Sequence, residues 1–354
     1  MCCKKKGKSK QQRETEKLKA LLLSAAKGIP EVEWEFVKRI FEMGAVNLKE
    51  EFERLRAAQR TDVTYKAYEA NKSCNRYKIP CQDAGRVIIK FPGLLSDYYH
   101  ANHISIGKIE PKKYICAQTP IRRTQHAFWA MVIQENVHRI IKFGTFATCS
   151  GCDRFWPEKC EEIWQFGERS GQIRVFLTIN AKSIIDDPHS TTTTVILKWK
   201  KETRTVIIQE FDKFPYIEMI SLANHKVTDK VTKKPLTILV CCPTGVGESA
   251  TFIAIGTLFH MLKKNDFMPL PEFIQNFWKQ RANAIISHDH YIILLSAILQ
   301  LCLVPVEKDL PEYVKQDLEK WQKEQPIPKY EDYKNAKTKV PDVKRTMEYF
   351  NILS

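Results

Sequence analysis

One segment constrains the fold more than any other: an apolar run, a glycine-containing turn and a second apolar run between residues 237 and 264. Thr237 to Cys242 reads TILVCC, which is typical of a fully buried strand, and the residues from Ser249 onward have the length and apolar content of a helix. Such a turn gathers backbone N–H groups at one point, where the helix dipole favours negative charge. Because a cysteine there is shifted towards thiolate, the sequence predicts an oxyanion or thiolate site at Cys242. An ordinary strand-to-helix turn is the alternative interpretation.

The rest of the chain is typical of a globular protein, with 354 residues, 44% hydrophobic and 27% charged, enough for one large domain with extensions or two small ones. Helical spacing predicts a helix over 31–59, and short β-rich runs recur between 86 and 209. The apolar run over 291–304 is too short to span a bilayer and predicts a buried helix. The predicted regions are a basic leader over 1–30, an ordered domain over 31–305 and a charged tail over 306–354.

From about residue 35 to residue 304 the sequence resembles the tyrosine-specific protein phosphatases. The segment ILVCCPTGVGESATFIAI is similar, position by position, to the family's catalytic loop, of the form VHCSAGVGRTGTFIAI. Other similar segments follow in family order: Asn75-Arg76-Tyr77 (phosphotyrosine loop), Asp97-Tyr98 (DYINANYI), Tyr114-Ile115 (YIATQGP), Phe128-Trp129 (FWxMVW), Lys159-Cys160 with Trp164 (KCxxYW) and Glu202-Thr203-Arg204. The resemblance implies an α+β tyrosine-phosphatase fold, a twisted mixed β-sheet flanked by helices around a strand–phosphate-loop–helix core. Degenerate members of this family are widespread in nematodes, so a nematode is one expected source.

The family's chemistry needs a thiolate nucleophile, an arginine that grips phosphate, an aspartic acid and a glutamine that places water. By resemblance, Cys242 stands at the nucleophile and Ser249 at the neighbouring hydroxyl. The arginine position, however, is Glu248. The acid position is Tyr216, in Phe214-Pro215-Tyr216, and the glutamine position is Ile286. We therefore predict that these five residues are vestigial and that no catalytic residue is functional.

Three further positions bear on this interpretation. Pro243 removes one backbone N–H from the phosphate cradle, and Ile79 stands where the phosphotyrosine loop has an acid. Tyr77 is retained, which we interpret as a packing role. We predict a catalytically inactive pseudophosphatase that works as a binding or scaffold component in intracellular signalling. The alternatives are a weak protein-tyrosine phosphatase that uses Cys242 and a phosphotyrosine-binding module.

Three other patterns receive no chemical role. Phe155-Trp156-Pro157-Glu158 resembles an acid loop but precedes Lys159-Cys160, the wrong place in family order, so it is interpreted as a surface loop. Cys149 and Cys152 form a single CxxC, which is weak evidence for zinc without a second pair. His288 and His290 precede the last apolar helix and are interpreted as capping or surface groups. No metal site and no cofactor are predicted.

The beginning of the sequence predicts a membrane anchor. Cysteines can carry acyl chains and lysines bind anionic lipid. The residues that form this two-part signal are Cys2, Cys3, Lys4, Lys5, Lys6, Lys8 and Lys10. An unspecific basic leader or a weak nuclear signal is the alternative.

Charge and cysteine content agree with this localisation. The formal net charge of +15 suits anionic lipid, acidic protein or nucleic acid, but no nucleic-acid-binding motif is present. The eleven cysteines are an odd number and no signal peptide precedes them, which predicts reduced thiols. We expect a peripheral protein at the cytoplasmic face of the plasma membrane, with the cytosol as the alternative, and an unidentified protein partner.

Overall fold

The structure is a computed structural model that describes residues 29–59, 63–94, 96–107, 113–144, 146, 153–166, 169–170, 173–174, 177–187, 190–211, 237–266 and 268–303. The leader up to residue 28, the segment that contains Tyr216 and the tail beyond residue 303 lie outside these ranges. The domain boundaries at residues 30 and 305 therefore stay predictions.

Eleven strands occur in the described ranges. In chain order they are β1 Arg86–Ile88, β2 Tyr98–Ile104, β3 Lys113–Gln118, β4 Val137–Phe143, β5 Ile163–Phe166, β6 Arg169–Ser170, β7 Ile173–Arg174, β8 Leu177–Asp187, β9 Ser190–Trp199, β10 Glu202–Phe211 and β11 Thr237–Cys242. Nine of them form one sheet in the order β1-β2-β3-β11-β4-β10-β9-β8-β5, and β6 pairs with β7.

The large sheet is mixed. Strand β11 lies at its centre, parallel to β3 on one side and to β4 on the other. Strand β10 is parallel to β4, while the remaining neighbours are antiparallel. Every residue of β11 is buried, as expected for a strand with parallel neighbours and both faces covered. This explains why its sequence is a continuous apolar run, and it confirms the predicted strand.

The α-helices of the described ranges are α1 Glu31–Ala57, α2 Lys66–Ala70, α3 Gln125–Gln134, α4 Glu248–Lys263, α5 Leu270–Gln280 and α6 His288–Leu303, and two single-turn 3₁₀ helices cover Lys72–Cys74 and Arg122–Thr124. The predicted helix over 31–59 is confirmed, with one non-helical residue, Gly44, at φ 66°. The predicted helix near residue 291 begins three residues earlier, at His288. None of the helices in these ranges combines the length and apolarity that crossing a membrane requires.

Two hydrophobic cores lie on opposite faces of the sheet. Ile238, Val240 and Cys242 of β11 belong to the core that contains α1, α4, α5 and α6. Leu239 and Cys241 belong to the other core, which contains α3. Helix α4 is apolar and buried along most of its length, so it lies between the sheet and helix α6. The predicted α+β class, a mixed sheet flanked by helices, is confirmed.

The prediction of a surface loop at residues 155–158 is wrong for its first three residues. Phe155, Trp156 and Pro157 are buried, and the indole N–H of Trp129 donates to the Phe155 carbonyl at 2.7 Å. The reason is the gain from transferring large aromatic side chains out of water. Cys160, which follows this buried run, is exposed.

Candidate functional site

The turn between β11 and α4 has a fixed shape. Gly245 adopts a φ of +71°, and a Cβ atom there would lie 2.6 Å from both the Arg281 Nη2 atom and the Gln118 backbone nitrogen. No larger residue fits at that separation, and the left-handed backbone independently favours glycine. Helix α4 then begins at Glu248. The sequence prediction of a tight glycine turn that leads into a helix N-terminus is confirmed.

Cys242 lies under this turn with a fully buried side chain. Its Sγ accepts a hydrogen bond from the Gly245 N–H at 3.2 Å and lies 3.2 Å from the Ser249 hydroxyl. Burial and then the negative charge of Glu248 raise the pKa of the Cys242 thiol to about 11, against the lowering effect of the Ser249 and Thr244 hydroxyls. The thiol is therefore protonated at neutral pH, which differs from the thiolate that a turn of this kind favours.

Thr244 is the residue of the turn that sequence reasoning missed. Its Oγ1 accepts hydrogen bonds from the backbone N–H groups of Val246 and Gly247, both at 3.3 Å. The same oxygen lies 3.5 Å from Cys242 Sγ. Two of the converging N–H groups are thus paired within the turn itself.

Glu248 occupies the first position of α4 and is half-buried. Negative charge is favourable at a helix N-terminus, so the carboxylate suits the helix although it opposes an anionic ligand. Its charge affects three groups. It is the second cause, after burial, of the raised pKa of Cys242, and it partly offsets the burial that lowers the pKa of His290. The pKa of Tyr77 is raised mainly by burial, against the lowering effect of Arg76, and Glu248 adds a smaller increase after that of Cys242. The Glu248 charge therefore acts on Tyr77, Cys242 and His290.

A small apolar cluster lines the open side of the site. Ile79 and Val246 are buried, and Tyr77 and Ile286 pack against them while half-buried. The positions that in the family resemblance would hold an acid and a water-placing glutamine therefore carry hydrocarbon packed together. Tyr77 packs in this cluster, and its role as a packing residue stays a prediction.

A polar network supports the turn from below, and Arg281 is its centre. The fully buried guanidinium donates to the Gly245 carbonyl at 3.0 Å, to Asn102 Oδ1 at 2.5 Å and to His100 Nδ1 at 2.8 Å. His100 Nε2 lies 2.9 Å from the Ile79 carbonyl. Since a carbonyl only accepts and a guanidinium only donates, Nε2 carries the proton and His100 is neutral. Burial and the Arg281 charge lower the pKa of His100 to about 3, in agreement.

The histidines near α6 fit their interpretation in part. The backbone N–H of His290 donates to the Ser287 hydroxyl at 3.4 Å, which makes Ser287 the capping group, and His290 Nδ1 lies 2.9 Å from the same hydroxyl. Its Nε2, however, would lie 3.0 Å from a Cβ atom at Gly247, so His290 also borders the turn. His288 lies 3.1 Å from Asp289 and faces Glu53.

The structure brings together Cys242, Ser249, Glu248, Tyr77 and Ile286 as the sequence predicted, while Tyr216 and the anchor residues lie outside the described ranges. Cys149 and Cys152 lie outside them too. Within the ranges described, no group of His, Cys, Asp and Glu side chains could hold a metal ion.

The central strand of the mixed sheet ends in a cysteine, and a glycine turn then leads into the N-terminus of a helix. This arrangement defines a domain of the cysteine-phosphatase type. A protein-family comparison agrees, since the protein-tyrosine phosphatase family matches residues 71–300. The chain belongs to this family.

Individual relatives are distant. The chain is 27% identical over 242 residues to the probable tyrosine phosphatase protein N1 of Microplitis demolitor bracovirus, covering 63% of this chain and 74% of that protein. It is 26% identical over 261 residues to tyrosine phosphatase-like protein H1 of the same virus, covering 65% and 74%. The nematode origin stays a prediction.

The fold also matches a solved structure, described as the structural basis of PTPN18 fingerprint on distinct HER2 tyrosine phosphorylation sites. The TM-score is 0.64 at 21% identity, over 77% of this chain and 99% of that one. At this identity the match concerns the fold.

Proposed function

We propose that this tyrosine-phosphatase-like protein is catalytically inactive and works by binding a protein partner in an intracellular signalling complex at the membrane. One observation carries the proposal: the carboxylate of Glu248, at the first position of α4, adds to the burial that raises the pKa of the Cys242 thiol and keeps it protonated. The nucleophile and the phosphate-binding group are thereby both compromised by the same substitution.

The thiol is the first obstacle to catalysis. The thiolate, and not the thiol, attacks phosphorus. With a pKa of about 11, only about one molecule in 10⁴ carries thiolate at pH 7, which follows from tenfold per pKa unit. Nucleophilic attack by the family mechanism would be limited to that fraction of the molecules.

The substrate charge is the second obstacle. A phosphate dianion in this turn would approach Glu248 where a guanidinium would otherwise pair with it. Two unit charges about 4 Å apart interact by roughly 4 kcal/mol at an effective dielectric constant of 20. Water around the half-buried carboxylate reduces this value, but the sign stays unfavourable in both the ground state and the transition state.

Proton transfer and water placement are the third obstacle. The acid position holds Tyr216, and a tyrosine side chain ordinarily has a pKa near 10, too high for a general acid at neutral pH. Losing a general acid costs about 10²- to 10⁴-fold in rate. Ile286 packs in the apolar cluster with Ile79 and Val246, and its hydrocarbon side chain cannot hydrogen-bond a nucleophilic water.

Phosphatase assays test the inactivity directly. We expect purified full-length protein to hydrolyse p-nitrophenyl phosphate and phosphotyrosine peptides no faster than Cys242→Ser, which removes the thiol and is the matched control. A rate above buffer that disappears in Cys242→Ser would establish the weak phosphatase instead. Glu248→Arg alone should restore little, because the acid and water-placing positions are unchanged.

Calorimetry with matched peptides separates a phosphotyrosine-binding module from the proposal. We expect phosphorylated and unphosphorylated peptides to bind equally. A preference above about tenfold, or 1.4 kcal/mol, would favour that module.

The membrane part of the proposal rests on the leader sequence. A single acyl chain anchors a protein only marginally, so two signals are usually needed, and Cys2, Cys3 and the lysines that follow would supply both. We expect a carboxyl-terminal fluorescent fusion at the cell periphery and Cys2→Ser/Cys3→Ser in the cytosol, with exposed Cys160→Ser as the control that stays peripheral. A double-serine variant that remains peripheral would assign the anchor to a partner of the folded domain.

A further inference from the structure

Three backbone N–H groups of the turn between β11 and α4 are paired within the turn itself. Gly245 N–H donates to Cys242 Sγ, while Val246 N–H and Gly247 N–H donate to Thr244 Oγ1. Converging N–H groups in a turn of this kind would otherwise bind an anion. In this protein an uncharged hydroxyl accepts two of the bonds.

Both lone pairs and the proton of the Thr244 hydroxyl have a hydrogen-bond partner within reach. A hydroxyl has two acceptor lone pairs and one proton. Two N–H donors take the lone pairs, and Cys242 Sγ, 3.5 Å away, is the acceptor towards which the remaining proton can point.

The family-like loop form VHCSAGVGRTG has alanine at the position of Thr244, and alanine offers no acceptor. We infer that Thr244 determines the specificity of this turn: its hydroxyl is an internal ligand that takes the place of an oxygen of a tetrahedral oxyanion. Two independent barriers then exclude such anions, a hydrogen-bonding barrier at Thr244 and a charge barrier at Glu248. This inference goes beyond the proposed inactivity, which Glu248 and Cys242 carry without Thr244.

Tungstate, a tetrahedral oxyanion that is not hydrolysed, is the probe. The proteins to compare by isothermal titration calorimetry are the wild type, Thr244→Ala, Glu248→Arg, Thr244→Ala/Glu248→Arg and Thr244→Ser/Glu248→Arg. Serine keeps the hydroxyl and removes only a methyl group, so it is the matched control. We expect Thr244→Ala/Glu248→Arg to bind at least tenfold more tightly than Thr244→Ser/Glu248→Arg, and the wild type to show no binding.

Equal affinities of the alanine and serine double variants would overturn the inference, as would a folded alanine double variant that binds no tungstate. A second measurement does not depend on Glu248→Arg. In Thr244→Ala alone, the amide resonances of Val246 and Gly247 should shift and their hydrogen exchange should accelerate, whereas in Thr244→Ser they should stay close to the wild type. Unchanged amides in Thr244→Ala would also overturn it.

The two proposals fail in different ways. Hydrolysis by the wild type would refute the proposed inactivity without concerning Thr244. Failure of Thr244→Ala/Glu248→Arg to gain tungstate binding would refute the role of Thr244 and leave the inactivity in place.

Discussion

The lower side and the open side of the turn that follows Cys242 differ in burial and in hydrogen bonding. Below the turn, the Arg281 guanidinium is fully buried and is bonded to the Gly245 carbonyl, Asn102 and His100. On the open side, Glu248, Tyr77 and Ile286 are half-buried, and no salt bridge to Glu248 is found in the part of the chain that the structure describes. The lower side determines the shape of the turn, and the open side would determine its chemistry.

This difference explains how a phosphatase fold can persist after its chemistry changes. Removing one partner from a buried polar network leaves unpaired groups that cost about 1–3 kcal/mol each, so the lower side is constrained by folding itself. Substitutions at half-exposed positions usually change stability little. The open side can therefore accept Glu248 and Ile286 without loss of the fold.

The largest effect is expected from Arg281→Met, which removes the hydrogen-bond donor at the centre of the lower side. We expect the free energy of unfolding to fall by about 3–5 kcal/mol, because Asn102, His100 and the Gly245 carbonyl lose their donor in a buried site. Urea denaturation measures the change. Lys279→Met, an exposed substitution on α5 two residues away, is the control and should change stability by less than about 0.5 kcal/mol. Equal effects of the two substitutions would remove the distinction between the sides.

The pH dependence of Cys242 alkylation tests whether Glu248, on the open side, acts on the buried thiol. With a pKa of about 11, alkylation of Cys242 by iodoacetamide, followed by mass spectrometry, should accelerate as the pH rises towards that value. Burial and the Glu248 charge both disfavour the thiolate, so Glu248→Gln should move the midpoint to lower pH while burial keeps it above about 8.5, the ordinary cysteine value. A midpoint near 8.5 in the wild type would contradict the assignment, and an unchanged midpoint in Glu248→Gln would show that the carboxylate lies too far away.

The smallest effect is expected on the open side. Ile286→Gln should lower the free energy of unfolding by less than about 1 kcal/mol, because the side chain is already half-exposed. Its neighbour Ile285 is fully buried, so Ile285→Gln should cost at least about 2 kcal/mol from burying an amide. Urea denaturation of this adjacent pair compares the two environments within one segment, and a large loss in Ile286→Gln would show that the open side also supports the fold.

The sequence predicted the central strand, the turn and helix α4 because each follows from a local pattern: an apolar run, glycines that a tight turn needs, and a second apolar run. It also indicated that Cys242, Glu248 and Ile286 lie together, but through resemblance and not through spacing, since Ile286 is far from the turn along the chain.

Two features could not be predicted from local patterns. Threonine at position 244 is an ordinary residue for a turn. Only the geometry shows that its hydroxyl accepts hydrogen bonds from the Val246 and Gly247 N–H groups. Arg281 is an ordinary charged residue in the sequence, and no local pattern indicates that its guanidinium is buried beneath the turn. Phe155 and Trp156 were assigned to a surface loop because their segment lies in the wrong place for the family's acid loop, whereas the cost of exposing two aromatic rings decides their burial.

The position of β11 has a consequence for how the chain is made. Its partners β3 and β4 begin at Lys113 and Val137, but β11 begins only at Thr237, between them in the sheet. During synthesis, the inner edges of β3 and β4 therefore leave the ribosome long before the strand that joins them. Unpaired strand edges are sites of intermolecular pairing, and contacts of high sequence separation form slowly. A nascent chain that pauses before residue 237 would expose both edges. A chaperone that binds extended apolar segments would therefore have its greatest effect on the yield of folded protein during this interval.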